Sequence, residues 1–439
     1  MLYEIPTPKA NFPTWPSGIG NISVQLPDGT ITKLPILESV NSLLIGVPGM
    51  GKTVLAKAIA SAQLRAKPDT LTVFFEVKPK DYSGQFMGPD DKVITFSEGT
   101  VPSENLFRWC MIREIRQSND KESELVQIGT YLFADLLKDD RNRIWAASAM
   151  DAFVGFLRVI IDCYRDCPSN KKVVNAMRNM NDSEFLSYLA KHPKNKSLLT
   201  KVFDFDPDHP EKYARTRKGG DVFFFLNHVL SLFDGSFASE DGTDTIHDYL
   251  HRQYGNNLFF IHDLAKSEVG RPFEQYFFKK LKDSKMSVST NVTAPMLWVL
   301  DEIDKLGGGA DIGLYEVCTL GRQFHISVIL STQSLESLYR VAASENREHT
   351  ANGTIAGFQY IAAFHPGDVY TLSTIKSLFG SQRKQILTMP LSRYGDPIYT
   401  TVMEPIVSDA DLGSLKTGEC YIKIQAHHPE RVYIIHEDQ

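Results

Sequence analysis

Residues 42–53 read SLLIGVPGMGKT, and the reading of this stretch decides the fold. An apolar strand runs into a glycine-rich turn, and a Lys-Thr pair then opens a helix, which fits G-x-x-x-x-G-K-[ST] without a mismatch. Gly46, Gly49 and Gly51 let backbone N–H groups curl around phosphate oxygens at a helix N-terminus, where the dipole favours anions. Pro48, Met50 and Val54 complete the cradle. Lys52 is placed to reach the β- and γ-phosphates, and Thr53 to offer a hydroxyl to Mg²⁺. ATP and Mg²⁺ are therefore the expected cofactors.

Two further stretches extend the site. MLWVLDEID (296–304) is an apolar strand ending in carboxylates. Asp301 is expected to hold the metal shell and Glu302 to polarise the attacking water, because in-line attack needs a proton acceptor there. GRQFHISVILSTQS (321–334) is an apolar strand that ends in an amide. Gln333 is expected on the strand beside Asp301, with its uncharged amide next to the γ-phosphate or the attacking water as a phosphate sensor; the bland alternative is a strand-end residue. Arg322 suits an arginine finger reaching across a subunit interface, against a surface arginine or a DNA contact.

Around these lie further apolar runs at 70–79, 93–96, 256–264 and 354–364. A hairpin signal at 22–36 turns on Pro27-Asp28-Gly29, and ECYIKIQ and RVYIIH read as a closing hairpin. Between the strands the texture turns helical. Leu125, Ile128, Leu132, Phe153, Leu157, Ile160, Ile161 and Tyr164 recur at helical spacing, Pro168 ends the run, and Ser169 and then Asp182 or Ser183 are candidate caps. The pattern predicts a mostly parallel α/β core interrupted by an all-helical insert. The expected division is 1–38 (N-terminal β segment), 39–108 (first part of the core), 109–215 (insert) and 216–439 (second part of the core).

Composition sets the remaining bounds. The 439 residues suffice for two or three domains, and a net charge of −6 gives no global nucleic-acid signature, although a local basic groove would be hidden in that sum. Basic residues gather in KHPKNKSLLTK (191–201) and KYARTRK (212–218), either a solvated face or a DNA-facing one. Five cysteines without zinc-type pairing suggest a reducing compartment. Cys163 and Cys167 can share a helix face but lack two further metal ligands. HDYLH (247–251) imitates a zinc-protease spacing with Asp248 in place of glutamate. Gly307-Gly308-Gly309 reads as a mobile loop. The proline-rich N-terminus lacks the core of a signal peptide, and no run of about 18 apolar residues marks a membrane span. The expected location is cytoplasmic, with a peripheral position at the inner membrane face allowed.

Taken in order, GVPGMGKT, VFFEVKPKDYSGQF, ENLFRW, DDRNRIWAASAMDAFVGFL, LDEIDKLG, LGRQFHISVILSTQSLESLY and SDADLGSLKTGECYIKI resemble the ATPase part of type IV coupling proteins. These are the TraD/TraG-type conjugation motors of the FtsK–HerA superfamily of P-loop motors. The resemblance implies a RecA-like P-loop NTPase core with an all-α domain, a ring around single- or double-stranded DNA (a hexamer in that family), and relaxase and secretion-channel partners. It carries roles onto Lys52, Thr53, Asp301, Glu302, Arg322 and Gln333. Two departures stand out. Glu76-Val77-Lys78-Pro79 replaces the family's Asp before Pro-Lys-Gly, and the membrane anchor of many relatives is not seen. The implied function is a DNA-pumping coupling ATPase. A HerA- or FtsK-like translocase in repair or defence, a secretion ATPase moving protein, and a nucleotide-gated recruitment platform stay open.

Overall fold

The strands follow the apolar runs. In the computed structural model, which describes residues 17–435 except 98, 100, 235–241, 308–311, 342–346 and 389–397, the chain forms β1 (Gly20–Gln25), β2 (Ile31–Ile36), β3 (Ser42–Ile45), β4 (Leu71–Glu76) and β5 (Lys92–Thr95). It continues with β6 (Asn257–Ile261), β7 (Met296–Asp301), β8 (Ile326–Thr332), β9 (Tyr360–Ala363), β10 (Ser381–Thr388), β11 (Ile398–Pro405), β12 (Glu419–Ile424) and β13 (Glu430–Ile434). Eleven strands form one sheet in the order β2-β1-β13-β12-β9-β3-β8-β7-β4-β6-β5, and β10 and β11 pair separately.

From β9 to β5 every neighbour is parallel. The strands of this half read as continuous apolar runs because helices cover both faces, and β3, β4 and β8 are buried along their whole length. The N-terminal and closing hairpins add the antiparallel half; β12 alternates buried and half-buried positions, as a strand covered on one face does. The 354–364 run divides differently from expectation. Its first residues end helix Arg347–Ala356, and only Tyr360–Ala363 pair as a strand.

Helices occupy most of the segment between β5 and β6, among them Met111–Gln117, Lys121–Leu132, Arg143–Cys163, Asn170–Asn179, Asp182–Ala190 and Arg217–Ser231. The helical run thus continues past residue 215. Ser169 caps its helix as expected, whereas the following helix is capped by Asn181, in a reciprocal box with Glu184, and not by Asp182 or Ser183. By length and composition Arg143–Cys163 is apolar enough to cross a membrane, which the sequence reading did not anticipate, but more than half of it is buried inside the domain. A Cβ at Gly129 would lie 2.7 Å from Val154 Cγ2, so this glycine lets helix Lys121–Leu132 press against it.

Helix Ser267–Met286 joins the two regions. Phe278 packs on Trp298 and Phe260 of the sheet, while Phe273, Tyr276 and Phe277 surround the buried Trp109. On the same helix, Tyr276 and Lys280 both bond Glu124 of the insert.

Candidate nucleotide site

Register brings the three stretches together. Asp301 of β7 pairs with Ser331 of β8, and Thr332 of β8 pairs with Ile45 of β3. Parallel strands share one carboxyl edge, so Gly46, Asp301, Glu302 and Gln333 emerge side by side, in the crevice where α/β sheets bind ligands.

The loop between β3 and helix Lys52–Ala66 depends on its glycines. Gly51 sits at φ 106° immediately before the helix, a region costly for residues with a Cβ. A Cβ at Gly46 would lie 2.6 Å from Phe364 Cβ. Pro48 and Gly49 form the exposed crest, Met50 is buried, and Thr53 and Val54 are half-buried. The buried Lys52 ammonium donates to the carbonyls of Gly46 (2.7 Å) and Val47 (3.1 Å). Burial lowers its pKa, and the charges of Asp301 and Glu302 oppose that shift. Thr53 Oγ1 donates to Asp301 Oδ2 at 3.4 Å. Burial raises the Asp301 pKa, and the adjacent Glu302 adds to the rise.

Glu302 takes a left-handed conformation (φ 52°, ψ 45°) unusual for a residue with a side chain. Its N–H donates to Ser331 O at 3.0 Å, and its Oε1 accepts a hydrogen bond from the Gln333 amide. The next residues are docked as well. Leu335 N donates to Thr371 Oγ1 (2.9 Å), which also lies 3.3 Å from Ser334 Oγ. The segment after Gln333 therefore rests on helix Val369–Phe379.

Arg322 is not brought into this group. It is exposed, in the turn before β8, and the length of that strand separates it from Gln333, more than ~20 Å at the usual rise. It lies at the opposite end of the sheet from its own chain's P-loop.

Three supports were missed from sequence. Val47 N donates to His365 O (2.9 Å) and Gly418 N to Met50 O (3.0 Å), so the turns after β9 and before β12 brace the loop. The third is Glu76, whose role the sequence left open. Fully buried, it accepts from Lys80 N (3.3 Å), Tyr82 N (2.6 Å), Ser83 N (3.1 Å) and Ser83 Oγ (2.6 Å). A carboxylate ending a strand, where the family carries Asp, was the signal, and it does not reveal which loop will fold over it.

Other sequence features resolve without a site. In HDYLH, Asp248 is buried, accepts a hydrogen bond from the Gln117 amide (2.8 Å) and forms an ion pair with Arg113 (3.0 Å), and the two histidine rings stack on each other. Among the described residues no group of three or more His, Cys, Asp or Glu is arranged to hold a metal. All five cysteines are unbridged. Within the basic tracts, Lys194 pairs with Glu122, Arg215 with Asp182, and Lys191 lies over the Tyr188 ring; Lys196, Lys201, Lys212 and Lys218 are exposed. Gly308 and Gly309 of the expected mobile loop, like residues 1–16, lie outside the described residues.

A family model for the type IV secretion-system coupling protein DNA-binding domain matches residues 28–430. The chain belongs to this family. No curated protein matches the sequence. Among solved structures, the bacterial conjugative coupling protein TrwBdeltaN70 in its unbound monoclinic form superposes with a TM-score of 0.70 at 17% identity, covering 95% of this chain and 89% of that one. The plasmid coupling protein TrwB in complex with ADP and Mg²⁺ gives 0.66 at 17% identity, covering 91% and 86%. VirB4 of Thermoanaerobacter pseudethanolicus gives 0.55 at 14% identity, covering 97% and 98%. At these identities the likeness is one of fold: a RecA-like P-loop core with a mostly parallel sheet and helices around it.

Proposed function

We propose that the chain is the motor part of a conjugative coupling protein, an Mg²⁺-dependent, DNA-stimulated ATPase that recruits and pumps DNA in type IV secretion. The observation that carries the reading is the convergence of Lys52, Thr53, Asp301, Glu302 and Gln333 on one sheet edge in a member of the coupling-protein family.

In this reading the loop N–H groups and Lys52 hold the β- and γ-phosphates. Thr53 and Asp301 fit a magnesium site, being already in contact at 3.4 Å, with a carboxylate whose charged form burial disfavours until a cation is near. Thr53 and Asp301 would hold a Mg²⁺ there, and the ion would supply charge neutralisation at the phosphate. Glu302 accepts a proton from the attacking water, and Gln333 fixes the orientation of that carboxylate. Arg322 serves the site of a neighbouring copy, a role its position at the far end of β8 supports. A ring of six copies follows from the same reading, with DNA as partner, the residue 109–215 insert facing it, and relaxase and channel proteins beyond; its place is the cytoplasm or the inner face of the membrane.

The test is the rate of ATP hydrolysis with and without DNA, across protein concentration. Stimulation by DNA and a rate rising faster than linearly with concentration are expected. Hydrolysis indifferent to DNA would overturn the DNA part and leave a motor that moves protein.

A further inference from the structure

Glu302 opens the turn Ile303–Leu306 in a left-handed conformation, which persists in a residue with a side chain only where the surroundings hold it. β8 supplies part of that hold, through Ser331 and Gln333. The turn also closes on itself, Lys305 N donating to Glu302 O (3.0 Å) and Gly307 N to Asp304 O (2.9 Å). Ile303 and Leu306 are buried, so the carbonyl that ends the turn needs a partner away from water. Gln275 is that partner. Its side-chain amide donates to Leu306 O at 2.7 Å, from a residue only 4% exposed.

Gln275 belongs to helix Ser267–Met286, and its neighbours there grip other parts of the protein. Successive residues of a helix point in different directions. Glu274 Oε2 lies 2.7 Å from Nδ1 of His262, the residue after β6, and both side chains are buried. Tyr276 and Lys280, four residues apart and so on one face of the helix, take the two carboxylate oxygens of Glu124 in the insert. The helix is therefore fixed to the sheet edge by one residue and to the insert by two others. A side chain mounted on such an element holds its partner more precisely than one carried by a loop.

We propose that Gln275 is a positioning residue for ATP hydrolysis. Its bond to Leu306 pins the far end of the turn that Glu302 opens, so that the Glu302 carboxylate meets Gln333 and the attacking water in one orientation. This rests on the nucleotide-site reading above, and it gives the water-activating residue a second support besides β8. The helix that carries this support is the one that grips Glu124 of the insert.

The experiment measures kcat and KM for ATP, and ADP affinity by calorimetric titration, on the full chain. The variants are Gln275→Met, Gln275→Asn, Gln333→Ala, Gln275→Met with Gln333→Ala, and Tyr276→Phe. Methionine matches glutamine in length without its N–H groups, and asparagine keeps the amide but falls one carbon short. Rates are taken per ADP-binding site, so unfolded chains do not count. In either Gln275 variant kcat should fall by about tenfold with KM and ADP affinity unchanged, because a displaced carboxylate slows the chemistry and leaves the phosphate cradle alone. Since Gln275 and Gln333 both act on Glu302, adding Gln275→Met to Gln333→Ala should cost about twofold or less. Tyr276→Phe removes another bond of the same helix and should keep the wild-type kcat. Wild-type kcat in both Gln275 variants overturns the proposal. So does a loss that multiplies in full with that of Gln333→Ala, or an equal loss in Tyr276→Phe, because either would make Gln275 one more support of the general packing. A wild type that binds ADP but hydrolyses no ATP is a separate result, and it would overturn the ATPase reading itself.

Discussion

The Gln333 side-chain amide donates to the Glu302 carboxylate, so the residue following β8 holds the residue following β7. The amide was expected beside the γ-phosphate or the attacking water, as a sensor; its partner in the structure is the Glu302 carboxylate. Glu302 is held twice, since its backbone N–H is also tied to Ser331 of β8.

Gln333→Ala is therefore expected to bind ATP almost normally, because Lys52, Thr53 and the loop are untouched. Turnover should fall by about 100-fold, the usual effect of removing one positioned donor, and most DNA stimulation should go with it. Steady-state hydrolysis alongside nucleotide titration checks this. Rates equal to wild type, with and without DNA, would show that Gln333 merely ends a strand.

Lys52→Ala should lose nucleotide binding and hydrolysis together, since it removes the buried cation anchored at the loop. Glu302→Gln should separate them, binding ATP and releasing little phosphate. Retention of wild-type turnover by Lys52→Ala would sink the P-loop assignment.

Glu76→Ala strands four donors around a fully buried position. The cost should reach about 3 kcal/mol or more, seen as a lower melting temperature.

Arg322 cannot serve the site of its own chain across the length of β8. Mixing Arg322→Ala subunits with Lys52→Ala subunits should recover part of the activity that neither has alone, because some mixed interfaces are intact. No recovery at any ratio would remove Arg322 from the site altogether.

Glu114 gives a pH signature. Burial pushes its carboxyl up to about 7 from the ordinary 4.5, with the Glu124 charge adding to the rise. Lys280 at 4.0 Å and the N–H groups of Ile246 (2.7 Å) and His247 (3.2 Å) oppose it. The folded value exceeds the unfolded one, so folding takes up a proton. This contribution is complete below about pH 4.5 and is lost as pH rises through 7. The melting temperature of wild type, relative to Glu114→Gln, should fall across that window. A difference that stays flat with pH would show that Glu114 keeps an ordinary carboxyl value.

What the sequence determined by itself was local. Strand, glycine turn, Lys52 and Thr53 are contiguous, and the apolar runs ending in Asp301 and Gln333 carry their own signal, so the core, the helical insert and most of the site were legible from one dimension. Tertiary structure decided what depends on register and on distant chain. Pairing Asp301 with Ser331 and Thr332 with Ile45 fixed which ends meet. That pairing turned Gln333 onto Glu302 and left Arg322 at the far edge. Glu76 stood out in sequence only as a departure from the family's Asp, because a buried carboxylate acquires its meaning from the groups folded against it. Helix Arg143–Cys163 shows the same limit: its composition suits a bilayer and a domain core alike, and packing against Gly129 and its neighbours placed it in the core.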